Sequence, residues 1–204
     1  MDPWIARLEK ELALPLPGLQ AQLRMSPSGL RPVVAGTPLR NSGVLILLYP
    51  NRQQLHLVFI KRSEYEGIHS GQVSFPGGMY EKKDLSFQQT ALRETFEETG
   101  VPVDSLRMLG QLTMLHIPVS NVNVFPFVAV CRTRPDFRPD YKEVQYLIEA
   151  GLDELLDPAN QKVKIMNIAG NDFEVPFYDI RNNHIWGATA MILSEFLEIF
   201  RRTM

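Results

Sequence analysis

The sequence predicts an α/β protein: a mixed β-sheet with helices on its faces, preceded by an N-terminal helical arm. Short aliphatic runs of strand length recur between residues 44 and 180, several bounded by proline, glycine or asparagine. Two longer stretches, about 86–99 and 186–201, carry helical periodicity and interleave with those runs. With 204 residues, 45% of them hydrophobic and 22% charged, the chain can build one sizeable core and is short for two full domains.

Residues 1–41 read as one or two short helices, with Trp4, Ile5, Leu8 and Leu12 at helical spacing, interrupted by Pro15, Pro17, Pro27, Pro32 and Pro38. That much proline argues for an arm wrapped on the compact domain, which is expected to span 42–204. Val44 to Tyr49 reads as a strand, Pro50-Asn51 as a turn, and Gln54 to Lys61 as a second strand. Gln72 to Phe75 is a third, closed by Pro76-Gly77-Gly78. A helix follows from Leu85 or Ser86 to Thr99. Ser86 and Gln89 have capping-box spacing, Gly100 suits the residue past the end, and Leu92 with Phe96 suggests the inward face. Leu106 to Ile117, Val122 to Cys131 and Glu143 to Ile148 are further strands, and Leu152 to Leu156 is a short helix. Lys162 to Ile168 and Phe173 to Ile180 form a hairpin turning near Gly170-Asn171. The last element, Trp186 to Arg201, is an amphipathic helix with Ile192, Phe196, Leu197 and Phe200 inward.

Bulk properties narrow the function classes. A formal net charge of −2 offers no basic excess for nucleic acid, so any phosphate recognition must come from local geometry. Cys131 is the single cysteine, which excludes an intramolecular disulfide and suits a core position in a reducing compartment. Asp2, Glu9 and Glu11 make the first fourteen residues unlike a secretory or transit signal. No apolar run has the length of a membrane span, and the cytoplasm is the expected compartment.

The most informative stretch is Arg93-Glu94-Thr95-Phe96-Glu97-Glu98-Thr99-Gly100-Val101. On a helix, Glu98 lies about 40° from Glu94, and Glu97 about 60° the other way, so three carboxylates share an arc of roughly 100° with Arg93 at its edge. Like charges four residues apart destabilise a helix by a few tenths of a kcal/mol. A divalent cation reverses that sign, because Mg²⁺ and Mn²⁺ take hard oxygen ligands. The alternative is a solvated acidic face. Against it stands the apolar pair Leu92 and Phe96, and a chance frequency of about 10⁻⁶ per start site for Arg-Glu-x-x-Glu-Glu-x-Gly at average residue usage.

From Gly78 through Val101 the sequence resembles the signature of the Nudix hydrolases, G-x5-E-x7-R-E-U-x-E-E-x-G-U, where U is aliphatic. Asp84 stands in place of the first Glu, one extra residue precedes Arg93, and Thr95 replaces an aliphatic. The upstream stretch resembles the coenzyme A pyrophosphatase branch: Arg62-Ser63, then Gly71-Gln72-Val73-Ser74-Phe75-Pro76-Gly77-Gly78, then Thr90-Ala91-Leu92-Arg93-Glu94. Gly67 stands where that branch usually carries Arg. The resemblance implies the Nudix fold, an α/β/α sandwich around a mixed sheet. It also implies hydrolysis of a small-molecule nucleoside diphosphate derivative, with 3′,5′-ADP and 4′-phosphopantetheine as products in the coenzyme A branch. Substrates such as ADP-ribose, a dinucleotide or a nucleotide sugar, or a catalytically silent binding module, are the competing expectations.

Within that chemistry Glu94 and Glu98 are expected to be the principal metal ligands, with Glu97 in the same cluster. Arg93 either orients Glu97 or another carboxylate, or is structural. Gly77 and Gly78 let backbone approach metal or phosphate without a Cβ. Arg62 is a candidate phosphate partner. His69 is expected to be structural, and Asp84 to be a cap or turn residue. Glu143 is the candidate general base, with Glu149 as the fallback. The arm leaves three options: covering the active-site edge, packing against a twin subunit in a homodimer, or neither.

Overall fold

The structure, a computed structural model, describes residues 3–28, 38–63, 71–168 and 170–204. At its centre two strands run parallel, β1 (Arg40–Asn51) and, far along the chain, a strand at Val122–Cys131. Between these two come β2 (Gln54–Arg62), β3 (Val73–Ser74), β4 (Gly77–Met79), β5 (Leu106–Gln111) and β6 (Leu115–Ile117), which makes the Val122–Cys131 strand β7; β8 (Val144–Gly151) follows it. The path β3-β2-β1-β7-β5 forms the backbone of the eight-stranded sheet, with β4 on β1, β6 on β7 and β8 on β2. Every pair except β1·β7 is antiparallel, so the sheet is mixed, as predicted. A second sheet stacks β9 (Gln161–Ile168), β10 (Asn171–Ile180) and β11 (Asn183–Trp186) in the order β11-β10-β9.

Alternation along β1 makes two cores. Ile46 and Leu48 point to one face, where they join Leu57, Phe59 and Val128 under α1 (Pro3–Leu12) and the C-terminal helix at Gly187–Arg201. Leu45, Leu47 and Tyr49 point to the other, with Val58, Ala129, Cys131 and Ala91. Ala91 belongs to the acidic helix at Phe87–Thr99. With α2 (Gly18–Leu23) and the short Leu152–Leu156 helix counted in chain order, the acidic helix is α3 and the C-terminal one α5. The result is three layers: α3, the sheet, and α1, α2 and α5. Among the described residues no helix is long and apolar enough to cross a membrane.

The N-terminal helices are packed into this core. Ile5, Leu8, Leu12, Ala21 and Met25 are buried, each large side chain contributing on the order of 1.5–3 kcal/mol of apolar transfer. A polar clamp fixes α2: the fully buried Glu195 of α5 accepts from Gln22 Nε2 at 2.8 Å, the Gly18 amide at 3.2 Å, and the Thr113 hydroxyl and amide at 2.7 and 3.3 Å.

Three local expectations are corrected. The first strand does not end before Pro50: β1 continues through Asn51, and the hairpin turns on Arg52-Gln53, both at positive φ (48° and 67°). Proline is tolerated there because Pro50 opposes Leu55 near the end of the ladder, where few backbone donors are needed. Leu106 to Ile117 is two strands, broken at residues 112–114 so that both halves can pair with β7.

The third correction concerns α3. Its inward face is Ala91, Thr95, Glu98 and Thr99, while Phe96 is half exposed and Leu92 only partly covered. Small residues let the helix lie against β1 at Gly43, where a Cβ would come within 2.2 Å of the Phe87 carbonyl oxygen. The Thr95 and Thr99 hydroxyls satisfy themselves by donating to the carbonyls of Ala91 and Thr95. A close approach of backbones therefore decides the face, ahead of side-chain hydrophobicity.

Candidate active site

Helix α3 starts and stops where its termini are satisfied. Ser86 Oγ accepts the Gln89 amide at 3.2 Å, while Gln89 Oε1 reaches one residue further back than a standard capping box, to the Leu85 amide at 2.7 Å. Gly100 closes the helix at φ 73°, its amide donating to the Phe96 carbonyl. This frame aims one turn of carboxylates at the Gly77-Gly78 strand.

Glu98 is the deepest of them, 1% exposed. One carboxylate oxygen accepts the Gly77 amide at 2.8 Å and the other faces Arg62 Nη1 at 3.4 Å. Burial pushes its carboxyl up to about 8; Gly77 and Arg62 oppose this, and the like charges of Glu94 and Glu143 add to it. Glu94 is raised as well, first by burial, with Arg93 opposing and Glu97 and Glu143 adding. Three acids from two parts of the chain therefore repel one another here: Glu94, Glu98 and, from the turn before β8, Glu143. Glu143 is brought in by its carbonyl, which accepts the Ser63 amide next to Arg62.

Both glycines are required. A Cβ on Gly77, whose φ is 151°, would lie 2.4 Å from the Gly43 carbonyl oxygen. A Cβ on Gly78 would lie 2.3 Å from Glu94 Cδ, so the Glu94 carboxylate rests directly on bare backbone.

Arg93 is the hub of the rim. Its Nε and Nη2 fork onto Asp84 at 2.9 and 3.0 Å, and Nη1 reaches Glu94 at 2.8 Å and Glu97 at 2.9 Å. Asp84 is 4% exposed and also accepts from the Thr90 hydroxyl and the Glu81 amide. Arg93 above all holds the Asp84 carboxyl well below the usual carboxylate range. The cap-or-turn expectation for Asp84 thus captured only its bond to Glu81. The buried ion pair went unseen because a loop and two helical turns separate its partners. An acid just ahead of the N-cap serine was its one signal in the sequence.

The predicted residues fall into groups. Glu94, Glu98, Gly77, Gly78 and Arg62 meet in one place, with Glu143 beside them. Glu97 stands at the edge, its side chain 48% exposed and held by Arg93. Arg62 is three-quarters covered, and its buried Nε has no partner among the described residues. Glu149 is elsewhere: it faces Val58 across β2, several residues from the Arg62 end, and is forked by Arg134 at 2.6 and 2.8 Å with Tyr49 at 3.0 Å. Those hydrogen bonds overcome burial and lower its carboxyl. Gly67 and His69 lie outside the described residues.

The cluster's chemistry suits a divalent ion. Hard carboxylate oxygens gather on rigid backbone and raise one another, and a dication would relieve that repulsion. Arg93 now occupies the gap between Glu94 and Glu97, and among the described residues no three acids converge at ligating distance.

The sequence matches the family model of the Nudix domain over residues 39–164, which is more than half of the chain. The chain belongs to the Nudix hydrolase family. Nudix relatives include an uncharacterized Nudix hydrolase, NudL, from Pectobacterium atrosepticum, 34% identical over 176 residues, covering 85% of this chain and 88% of the relative. The NudL of Photorhabdus laumondii is 32% identical over 142 residues, covering 70% and 75% respectively. The fold also matches solved Nudix structures. RenU, a Nudix hydrolase from M. smegmatis, superposes with a TM-score of 0.54 at 12% identity, covering 79% of this chain and 86% of that one. A MutT protein from Methanosarcina mazei gives 0.53 at 17%, covering 82% and 96%. As a Nudix hydrolase the protein is a pyrophosphohydrolase of a nucleoside diphosphate derivative, a family reaction that uses divalent metal ions.

Proposed function

We propose that this Nudix hydrolase cleaves the pyrophosphate bond of coenzyme A or its derivatives, giving 3′,5′-ADP and 4′-phosphopantetheine, with Mg²⁺ or Mn²⁺ in the cytoplasm. The observation that carries the chemistry is the buried Glu98 carboxylate against the Gly77 amide, with Glu94 on Gly78 and Glu143 alongside. The branch assignment is supported by the motif running from Arg62-Ser63 through Phe75-Pro76-Gly77-Gly78 to Thr90-Ala91-Leu92-Arg93-Glu94.

Glu94 and Glu98 would hold the metal as its principal ligands, with Glu97 in the same cluster. A divalent ion held there would supply neutralisation of the diphosphate charge and a more acidic attacking water. Glu143 takes that water's proton, and its nearness to Glu94 and Glu98 supports the role. Gly77 and Gly78 admit the diphosphate to bare backbone. Arg62, with its unpartnered Nε, binds a phosphate oxygen. Arg93 acts through Glu94, holding it ready while Asp84 anchors the guanidinium. Water's oxygen bonds to one phosphorus, the bridging P–O bond breaks, and the other phosphate leaves as a monoester.

Gly67, at a position where the branch usually has Arg, favours a second reading in which ADP-ribose, a dinucleotide or a nucleotide sugar is cleaved by the same machinery. Incubating the protein with Mg²⁺ or Mn²⁺ and, separately, coenzyme A and ADP-ribose, then resolving products by chromatography, distinguishes the two. The expected result is 3′,5′-ADP from coenzyme A, abolished by Glu98→Gln. Cleavage of ADP-ribose alone selects the second reading. Turnover of no diphosphate substrate would leave a silent nucleotide-binding module.

A further inference from the structure

The C-terminal sheet carries a lysine that the hydrolytic chemistry does not use. Phe177 opposes Lys162 on β9 and Trp186 on β11, while Asp179 opposes His184. Strand alternation therefore puts Lys162, Lys164, Phe177, Asp179, His184 and Trp186 on one face. The two lysines are neighbours there with different partners. Lys162 Nζ forms an ion pair with Asp179 at 2.7 Å. Lys164 Nζ instead lies 3.1 Å from His184 Nδ1, and among the described residues no carboxylate pairs with it.

That difference decides which amine can react. A carboxylate holds an ammonium in its charged form, and an ammonium has no lone pair to give. An imidazole nitrogen facing the amine is itself a base, able to take the proton as the amine attacks. Burial first, and then the charge of Lys164, lowers the His184 imidazole from its ordinary value, so the ring is neutral and free to accept at mildly alkaline pH. Burial also lowers the Lys164 ammonium, which enlarges the share of free amine. The rings of Phe177 and Trp186 attract the cation and oppose this, but their centroids lie 5.0 and 5.9 Å from Nζ, towards the outer limit of that attraction. Lys164 is half-buried and His184 exposed, so a small solute reaches the pair from solvent.

We propose that Lys164 is a covalent acylation site for acyl thioesters, with His184 as its proton acceptor. The Nζ lone pair of the neutral amine bonds to the thioester carbonyl carbon. The C–S bond breaks, and its electron pair leaves on sulfur. The Nζ proton passes to His184 Nδ1 and from there to the thiolate, so the products are an amide and a free thiol. This modification goes beyond the hydrolytic reading and does not rest on it. Acyl derivatives of coenzyme A belong to the donor class, and so does any other activated thioester.

The test uses the full chain in EDTA with S-acetyl-N-acetylcysteamine, an acetyl thioester that has no diphosphate, so hydrolysis plays no part. Acetylation of each lysine is followed over time by peptide mass spectrometry at mildly alkaline pH, with Lys162 as the internal reference. A positioned base in an active site contributes roughly 10²–10⁴-fold; without a dedicated donor pocket, Lys164 is expected to acetylate about tenfold faster than Lys162. His184→Gln and His184→Asn, checked for folding by melting temperature, are expected to remove most of that excess while Lys162 keeps its rate. Equal rates at the two lysines in the parent, or an excess that survives in both variants, overturns the proposal.

Discussion

Gly78→Ala separates the site from the scaffold more cleanly than removing a carboxylate would. The new Cβ would stand 2.3 Å from Glu94 Cδ and 2.4 and 2.5 Å from its two oxygens. Non-bonded carbons rest at about 3.5–4.0 Å, so the Glu94 carboxylate must retreat by a little over 1 Å. The obstructing group is the end of a flexible side chain, not backbone, so the fold absorbs the change at about 1 kcal/mol or less. Catalysis does not absorb it, since a displacement of about 1 Å in a positioned group can reduce turnover roughly 100-fold. The expected result is a melting temperature close to the parent's with kcat lower by about two orders of magnitude and weaker Mn²⁺ binding by calorimetry. Gly77→Ala is the contrast. Its Cβ meets the Gly43 carbonyl oxygen and Val44 Cα from a φ of 151°, and stability itself should fall. A Gly78→Ala enzyme turning over within about threefold of the parent would refute the placement of Glu94 in the machinery.

Three further outcomes follow from the polar framework. Asp84→Ala strips Arg93 of its buried fork and should cost about 3 kcal/mol in urea unfolding. Because the Asp84 carboxyl is depressed in the folded state, its contribution is full above the ordinary carboxylate range near pH 4 and is lost as pH falls towards the folded value. The variant should therefore lose less stability on acidification than the parent. Glu149→Gln should lower stability by loosening Arg134 and Tyr49 while leaving kcat unchanged; a large fall in kcat would return Glu149 to the list of bases. Glu195→Ala leaves the donors of Gln22, Gly18 and Thr113 without their acceptor and should cost about 3 kcal/mol. Limited proteolysis should then cut the N-terminal helices first, and a cleavage pattern like the parent's would show that the clamp is not what holds them.

Much of this protein was legible from local pattern. The strand at Val44 to Tyr49, the inward residues of α5 and the hairpin about Gly170-Asn171 follow from apolar runs, periodicity and turn chemistry, which act within a few residues. The same holds for Glu94 and Glu98: their spacing on a helix bounded by Ser86 and Gly100 determines that they share a face wherever the helix lies.

Tertiary structure decided which face that was and what stood opposite. Phe96 outranks Thr95 in hydrophobicity, yet Thr95 is buried and Phe96 exposed, because α3 approaches β1 at Gly43 closely enough to admit only small side chains. The Asp84–Arg93 fork and the arrival of Glu143 beside Glu98 join residues 9 and 45 positions apart. Contacts of that kind are set by how strands order themselves in a sheet. A sequence determines periodicity, caps and turns through short-range sterics and hydrogen bonds, whereas the partners of its charges are chosen only when the chain closes on itself.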